Sequence, residues 1–212
     1  MTATNIRLSL PAAAMLALCM GCASYAPVQV SDNFAYLYGK GAAAMRLEAR
    51  VYQPQADRST IYFKLRTADL LYKGTGGGGP YHARVMMTYE AYPSLGSNEL
   101  LDSSSTFVKD QAMDPHQDKE LVGSMDMKVQ GRRTFTLKIT AHDLNRDTQS
   151  TLMLPVDRDQ PGGRQEFLPM GPNNVPLFTD RFTPGAAVTV RAELHAGELL
   201  HAAHYAPIEK LP

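Results

Sequence analysis

The sequence predicts an all-β fold of antiparallel sheets, and three observations point to it. Period-two alternation of apolar and polar residues recurs along the chain, the pattern of strands with one buried and one solvated face. The intervals between these segments carry turn chemistry, as in "GTGGGGP", "PSLGSNE", "DPHQDK", "QGRR", "DRDQPGG" and "MGPNN". Composition agrees: 16 Gly and 14 Pro in 212 residues favour short elements and many turns over long helices. About seven strands between residues 45 and 158, a turn following every 8–15 residues or so, describe an immunoglobulin-like β-sandwich.

Taken in order, Leu47–Tyr52 is a first, imperfect strand. In "TIYFKLRT", Ile61, Phe63 and Leu65 share one face, while Tyr62, Lys64 and Arg66 share the other. Arg84–Tyr92 and Leu101–Val108 are less regular strands. "SMDMKV" sets Met125, Met127 and Val129 against Asp126 and Lys128, and "TFTLKITA" points Phe135, Leu137, Ile139 and Ala141 inward. Thr151–Val156 completes the sandwich, and "DRDQPGGRQ" at 157–165 reads as its boundary. Beyond it, "AVTVRAEL" alternates again, with Val188, Val190, Ala192 and Leu194 on one face. Residues 159–212 hold too few strands for a second sandwich. They are additional strands on the first or an incomplete second β-domain. "GELLHAAHYAP" fits either a helix or a hairpin return strand.

Residues 1–21 read as a targeting segment and not as part of the fold. "MTATNIR" supplies Arg7 and the amino terminus, and "LSLPAAAMLALCMG" follows as an apolar stretch of about a dozen residues, the form of a secretory signal. Both cysteines, Cys19 and Cys22, lie at its end. A disulfide between them would close a loop of a few residues with little entropic gain. A zinc site needs ligands that no further cysteine supplies. Gly21-Cys22 instead fits a lipobox, in which the residue before the cysteine is small and the cysteine becomes the acylated first residue. Met20 and Cys19 depart from the preferred Ala/Ser and Leu of such a box. Ordinary secretion with cleavage near Ala23 is the alternative. On the lipobox reading Cys22 is the lipidation site and residues 22–44 are a tether to the sandwich at 45–158.

The 21 basic and 21 acidic residues cancel, which gives no basis for a nucleic-acid partner. "GTGGGG" (Gly74–Gly79) satisfies G-x-G-x-x-G literally, but Pro80 and a strand follow instead of the helix that a phosphate site requires. His195, His201 and His204 form no H-E-x-x-H pattern and read as surface or partly buried histidines. "DPHQD" and "DRD" lack the full ligand set of a calcium loop, and "DSSST" lacks a nucleophile elbow. The 11 methionines read as core filler. No catalytic constellation emerges, so no cofactor and no metal is expected.

The run from Ser59 to Ser105 resembles the N-terminal β-rich region of the GWxTD-domain lipoproteins of Bacteroidota. The resemblance rests on Ile61-Tyr62-Phe63-Lys64-Leu65, on Leu70-Leu71-Tyr72 before a glycine-rich loop, on Tyr89 and Tyr92 near a strand end, and on Asp102-Ser103. "EFLP" (Glu166–Pro169) and "PLF" (Pro176–Phe178) also fit. The chain has no G-W-x-T-D and no Trp, so the resemblance implies fold and location, and no activity. Surface-exposed lipoproteins of that phylum tend to carry acidic residues after the acylated cysteine. Ala23-Ser24-Tyr25 stand there instead, which implies an outer-membrane anchor facing the periplasm.

The expected function is therefore a non-enzymatic envelope lipoprotein with a protein partner. Tyr62, Arg66 and Tyr72 are candidate contacts, as exposed Tyr and Arg on sheet faces. A glycan- or small-ligand-binding sandwich is the alternative and requires a concave aromatic cluster. A metal-dependent enzyme using the histidines is the third reading.

Overall fold

The computed structural model describes residues 45–199, apart from 75, 77–78, 130, 132, 183–184 and 186. Cys22, the signal and tether segments, His201 and His204 lie outside the described residues.

Ten strands follow in order: β1 (Leu47–Gln55), β2 (Arg58–Arg66), β3 (Lys73–Gly74), β4 (Tyr81–Tyr92), β5 (Asp102–Ala112), β6 (Glu120–Met127), β7 (Thr134–Asp143), β8 (Thr148–Asp157), β9 (Leu168–Met170) and β10 (Thr189–Arg191). One sheet has the order β1-β2-β6. The other has β5-β4-β7-β8, with β3 as a stub beside the start of β4. Every pairing is antiparallel. The two sheets face each other in the Greek-key order of an immunoglobulin-like sandwich.

The alternation sets which side chains meet between the sheets. Ile61, Phe63 and Leu65 of β2 pack against Val85, Met87 and Tyr89 of β4 and against Phe135, Leu137 and Ile139 of β7, all buried. Gly123 sits opposite Phe63 in the β2–β6 register. A Cβ there would lie 2.5 Å from Phe63 Cζ, so the missing side chain makes room for the ring.

Polar groups close the sides of the sandwich. Tyr89 Oη donates to Asp102 Oδ2 at 2.8 Å and to the Asp126 carbonyl at 3.1 Å, tying β4 and β5 to β6. Asp102 Oδ2 also accepts from Lys128 N at 3.0 Å. The fully buried Asp143 accepts from Leu71 N at 2.8 Å and Asn145 N at 2.9 Å, which fixes the 70–72 segment to the β7–β8 turn. The buried Arg158 donates to the carbonyls of Val129 and Ala56, joining the β6–β7 and β1–β2 connections. Each arrangement gives a buried polar group the partner it needs.

Residues after β8 build neither a longer sheet nor a second sandwich among the described residues. β9 and β10 form a separate two-stranded ribbon. An arm of three single-turn 3₁₀ helices and this ribbon lies on the outer face of β1. There Leu168, Met170 and Tyr52 make a small second core with Tyr62 at its border. The expected inward face of "AVTVRAEL" fails: Val190 and Leu194 are exposed, and Glu193–His195 is a 3₁₀ turn. A ribbon only three residues long has no second layer on its Val190 side, so alternation there marks no buried face.

Candidate functional site

The three residues expected to meet a partner do not form one surface. Tyr72, expected on an exposed face, is instead buried in the core with its hydroxyl 2.5 Å from Asp110 Oδ2, out of a partner's reach. It follows the 3₁₀ turn at Thr67–Asp69, where the chain dives between the sheets with Leu70, and a sequence pattern of this length does not show that turn. Arg66 stays on the solvent side of β2 and pairs with Asp118. Tyr62 is half-buried and reaches a cleft.

That cleft has a volume of about 280 Å³ and lies between the outer face of β1-β2-β6 and the arm. Strand register builds its floor: Tyr52 opposes Thr60, Thr60 opposes Asp126, and Tyr62 opposes Ser124. Arg58 rises from the β1–β2 turn to pair with Asp126, whose Oδ1 also accepts from Thr60 Oγ1 at 3.2 Å. The arm contributes Arg191 and Glu193, whose side chains lie 3.8 Å apart. Glu193 N donates to Tyr52 Oη at 3.0 Å, and burial pushes the Tyr52 phenol above its ordinary pKa, so it stays a neutral hydroxyl. The cleft thus offers two guanidinium–carboxylate pairs beside a tyrosine, a donor and acceptor set suited to a polar, uncharged ligand. Among the described residues, no cysteine, histidine or lysine lines it.

The arm is fastened to the sandwich at two points and cross-linked within itself at a third. Asp180 pairs with both Arg50 and Arg164. Gln165 Oε1 accepts from Gln53 Nε2 at 3.1 Å and from Asp157 N at 3.0 Å. His195 sits between two carboxylates, with Nε2 2.7 Å from Glu166 Oε2 and Nδ1 2.8 Å from Glu198 Oε2, and its ring stacks on Phe167 at 5.1 Å. Glu198 and Glu166 raise the imidazole pKa above its usual value. Among the described residues no group of three His, Cys, Asp or Glu side chains is placed to hold a metal ion.

A second feature is the outer edge of β5. Leu144 N donates to the Arg84 carbonyl at 2.9 Å, and this pair continues the β4–β7 register. In an antiparallel ladder, bonding direction alternates residue by residue. The even-numbered residues of β4 therefore bond to β7, and Ala83, Val85, Met87, Tyr89 and Ala91 bond to β5. Their partners are Asp110, Val108, Thr106, Ser104 and Asp102. The N–H and C=O groups of Ser103, Ser105, Phe107 and Lys109 then point away from the sheet, and among the described residues nothing bonds them. The register runs through eleven consecutive pairs, from Tyr81↔Ala112 to Ala91↔Asp102, without a bulge. Phe107 stands on the solvent face at 54% exposure.

The other edges are covered over part of their length. The same alternation turns Pro155 and Asp157 outward on β8. Pro155 has no N–H to offer, and Gln165 and Gln53 bond the Pro155 carbonyl and both backbone groups of Asp157. The outer edge of β6 meets Tyr89 Oη and the Asp102 carboxylate. The sequence pattern places residues 101–108 on a strand but gives Phe107 no role. The signal present was an amphiphilic strand with no Pro, guarded only by one Lys and the inward Asp102 and Asp110.

No family model matches the chain, and no curated protein sequence matches it. Among solved structures it is similar to a crystal structure of a β-glucuronidase from Bacteroides uniformis and to two structures of that organism's β-glucuronidase 2. One of these is covalently bound to cyclophellitol-6-carboxylate aziridine, and the other is a calcium-binding mutant. In each case the TM-score is 0.31 and the identity 12%, over 52% of this chain and 13% of the enzyme chain. The chain therefore aligns with a small part of those enzymes' length.

Proposed function

We propose that the protein is an envelope lipoprotein, anchored in the outer membrane through Cys22 and facing the periplasm, that works by binding a protein partner and not by catalysis. The observation that supports this most is the long, unbulged outer edge of β5. A row of outward N–H and C=O groups is a template for an added strand, which supplies affinity through main-chain bonds. Tyr62 and Arg66, the contacts expected from sequence that keep access to solvent, lie on the opposite sheet. The binding edge is thus separate from them. The test is capture of partners from detergent-solubilised membranes by the lipidated chain and by a Phe107→Pro variant. Proline removes an outward N–H and leaves the β4 ladder intact. Loss of the captured protein with unchanged thermal unfolding supports the reading, and an identical captured set refutes it.

The cleft favours a second reading, a glycan- or small-ligand-binding module. Tyr62 offers a ring edge, and the Arg58–Asp126 pair offers donors and acceptors to neighbouring sugar hydroxyls. Titration of the full chain with neutral oligosaccharides, followed by calorimetry, tests it. Binding that Tyr62→Ala weakens about tenfold supports the cleft, because such a loss matches one well-packed aromatic contact of ~1.4 kcal/mol. Binding that is unaffected places the ligand elsewhere.

A further inference from the structure

We infer that the outer edge of β5 pairs with the β5 edge of a second copy of this chain, in antiparallel register about Phe107. This deepens the strand-addition reading above and rests on it.

The strand is complementary to itself. Strand β5 runs from Asp102 to Ala112, so Phe107 is its central residue. A two-fold axis through Phe107 pairs Phe107 with the second copy's Phe107, Ser105 with its Lys109, and Ser103 with its Gln111. These are the outward-bonding residues, so the Phe107 pair and the two Ser105–Lys109 pairs can each exchange two main-chain hydrogen bonds, while the Gln111 N–H is already bonded to the Asp110 carboxylate. The pairs between them set Thr106 against Val108, Ser104 against Asp110 and Asp102 against Ala112. No like charges face each other anywhere in the register, and shifting it by two residues in either direction shortens the overlap. A contact of one patch with its own copy across a two-fold axis closes after two subunits and does not propagate.

The side chains fit the same arrangement. Ser103, Ser105, Phe107, Lys109 and Gln111 occupy the solvent face of the sheet, opposite the core face that carries Val108 and Ala112. At the axis the two Phe107 rings would meet each other, and Met86, the cross-strand neighbour of Phe107, would flank them on each side. Ser105 hydroxyls, each 2.9 Å from Thr88 Oγ1, would lie within reach of the facing lysines. The inward carboxylates would not be disturbed, because Asp110 is already held by Lys119 at 2.7 Å and Asp102 by Tyr89 at 2.8 Å. One strand edge and one aromatic pair make a small contact, suited to weak association in solution. Confinement of both copies to one membrane raises their effective concentration and strengthens it.

The experiment uses the lipidated full chain in membranes with single cysteines on two edges. Phe107→Cys should form an intermolecular disulfide under mild oxidation. Coexpressed Ser105→Cys and Lys109→Cys chains should cross-link to each other. Gln149→Cys, on the edge of β8, should not. In detergent, sedimentation should give a monomer–dimer equilibrium that Phe107→Glu weakens about tenfold, since two carboxylates then oppose each other at the axis. Cross-linking of Phe107→Cys no greater than that of Gln149→Cys overturns self-pairing. Should Phe107→Pro still strip a different protein from the captured set, strand addition stands and only the second copy is wrong. Should a folded Phe107→Pro change neither self-association nor capture, both readings fall.

Discussion

At Gly123 the inward face of β6 carries no side chain, and the Phe63 ring occupies the space. The ring is 1% exposed and held by the facing sheet, so it cannot swing aside as a surface side chain would. An added methyl would lie 2.5 Å from Cζ. Gly123→Ala should therefore cost about 1–3 kcal/mol, the range for overpacking a filled core. Urea denaturation should show a lower midpoint with an unchanged slope. Phe63→Leu in the same chain should recover part of the loss, because the two changes share one volume and are not additive. An unshifted midpoint in Gly123→Ala would show that the strand pair relaxes freely there. The glycine was visible in the sequence inside "LVGSMDM", but its reason was not. The reason is a ring sixty positions earlier in the chain, brought opposite by the β2–β6 register.

Among the elements, the strands that bury one face were legible because period two is a direct consequence of that burial. Ile61–Leu65, Met125–Val129 and Phe135–Ala141 all face inward as their alternation requires. The arm was not legible. It is held by side chains of β1, far away in sequence, namely Arg50, Tyr52 and Gln53, and its own pattern at Val190 and Leu194 misleads. The cleft shares this origin: Tyr62 was singled out as a polar-face aromatic, whereas Arg191 and Glu193 become part of the site only through the arm. One joint of that arm carries a titratable imidazole. His195 lies between Glu166 and Glu198, which raise its folded pKa above the unfolded value of about 6.5. A raised pKa means that the stabilisation is fully present below about 6.5 and is lost as pH rises through the folded pKa. Hydrogen exchange in residues 162–198 should therefore speed up as pH rises above about 6.5 and through the folded pKa, after correction for intrinsic rates, while β4 and β7 stay protected. His195→Gln should abolish the difference. Equal protection of the arm across that range would show that the imidazolium does not hold it.

For the whole molecule, the proposed anchor and the proposed edge contact depend on each other through concentration. If Cys22 is the acylated first residue, residues 23–44 separate it from the sandwich. A fully extended chain of that length reaches at most roughly 75 Å. Each copy then samples a thin layer above the membrane and not the whole compartment, and a contact too weak to persist in bulk becomes populated. Multiple acyl chains make the attachment stable, since each buried CH₂ contributes about 0.8 kcal/mol. Cys22→Ala should therefore do two things at once. It should move the protein from the membrane fraction to the soluble fraction on centrifugation. In the Phe107→Cys background it should also reduce disulfide cross-linking at equal expression, although position 22 lies outside the sandwich. A chain that remains in the membrane fraction after Cys22→Ala would refute the lipobox. Release to the soluble fraction with undiminished cross-linking would show that the edge pairs tightly without help from the membrane, and the small contact area argues against that.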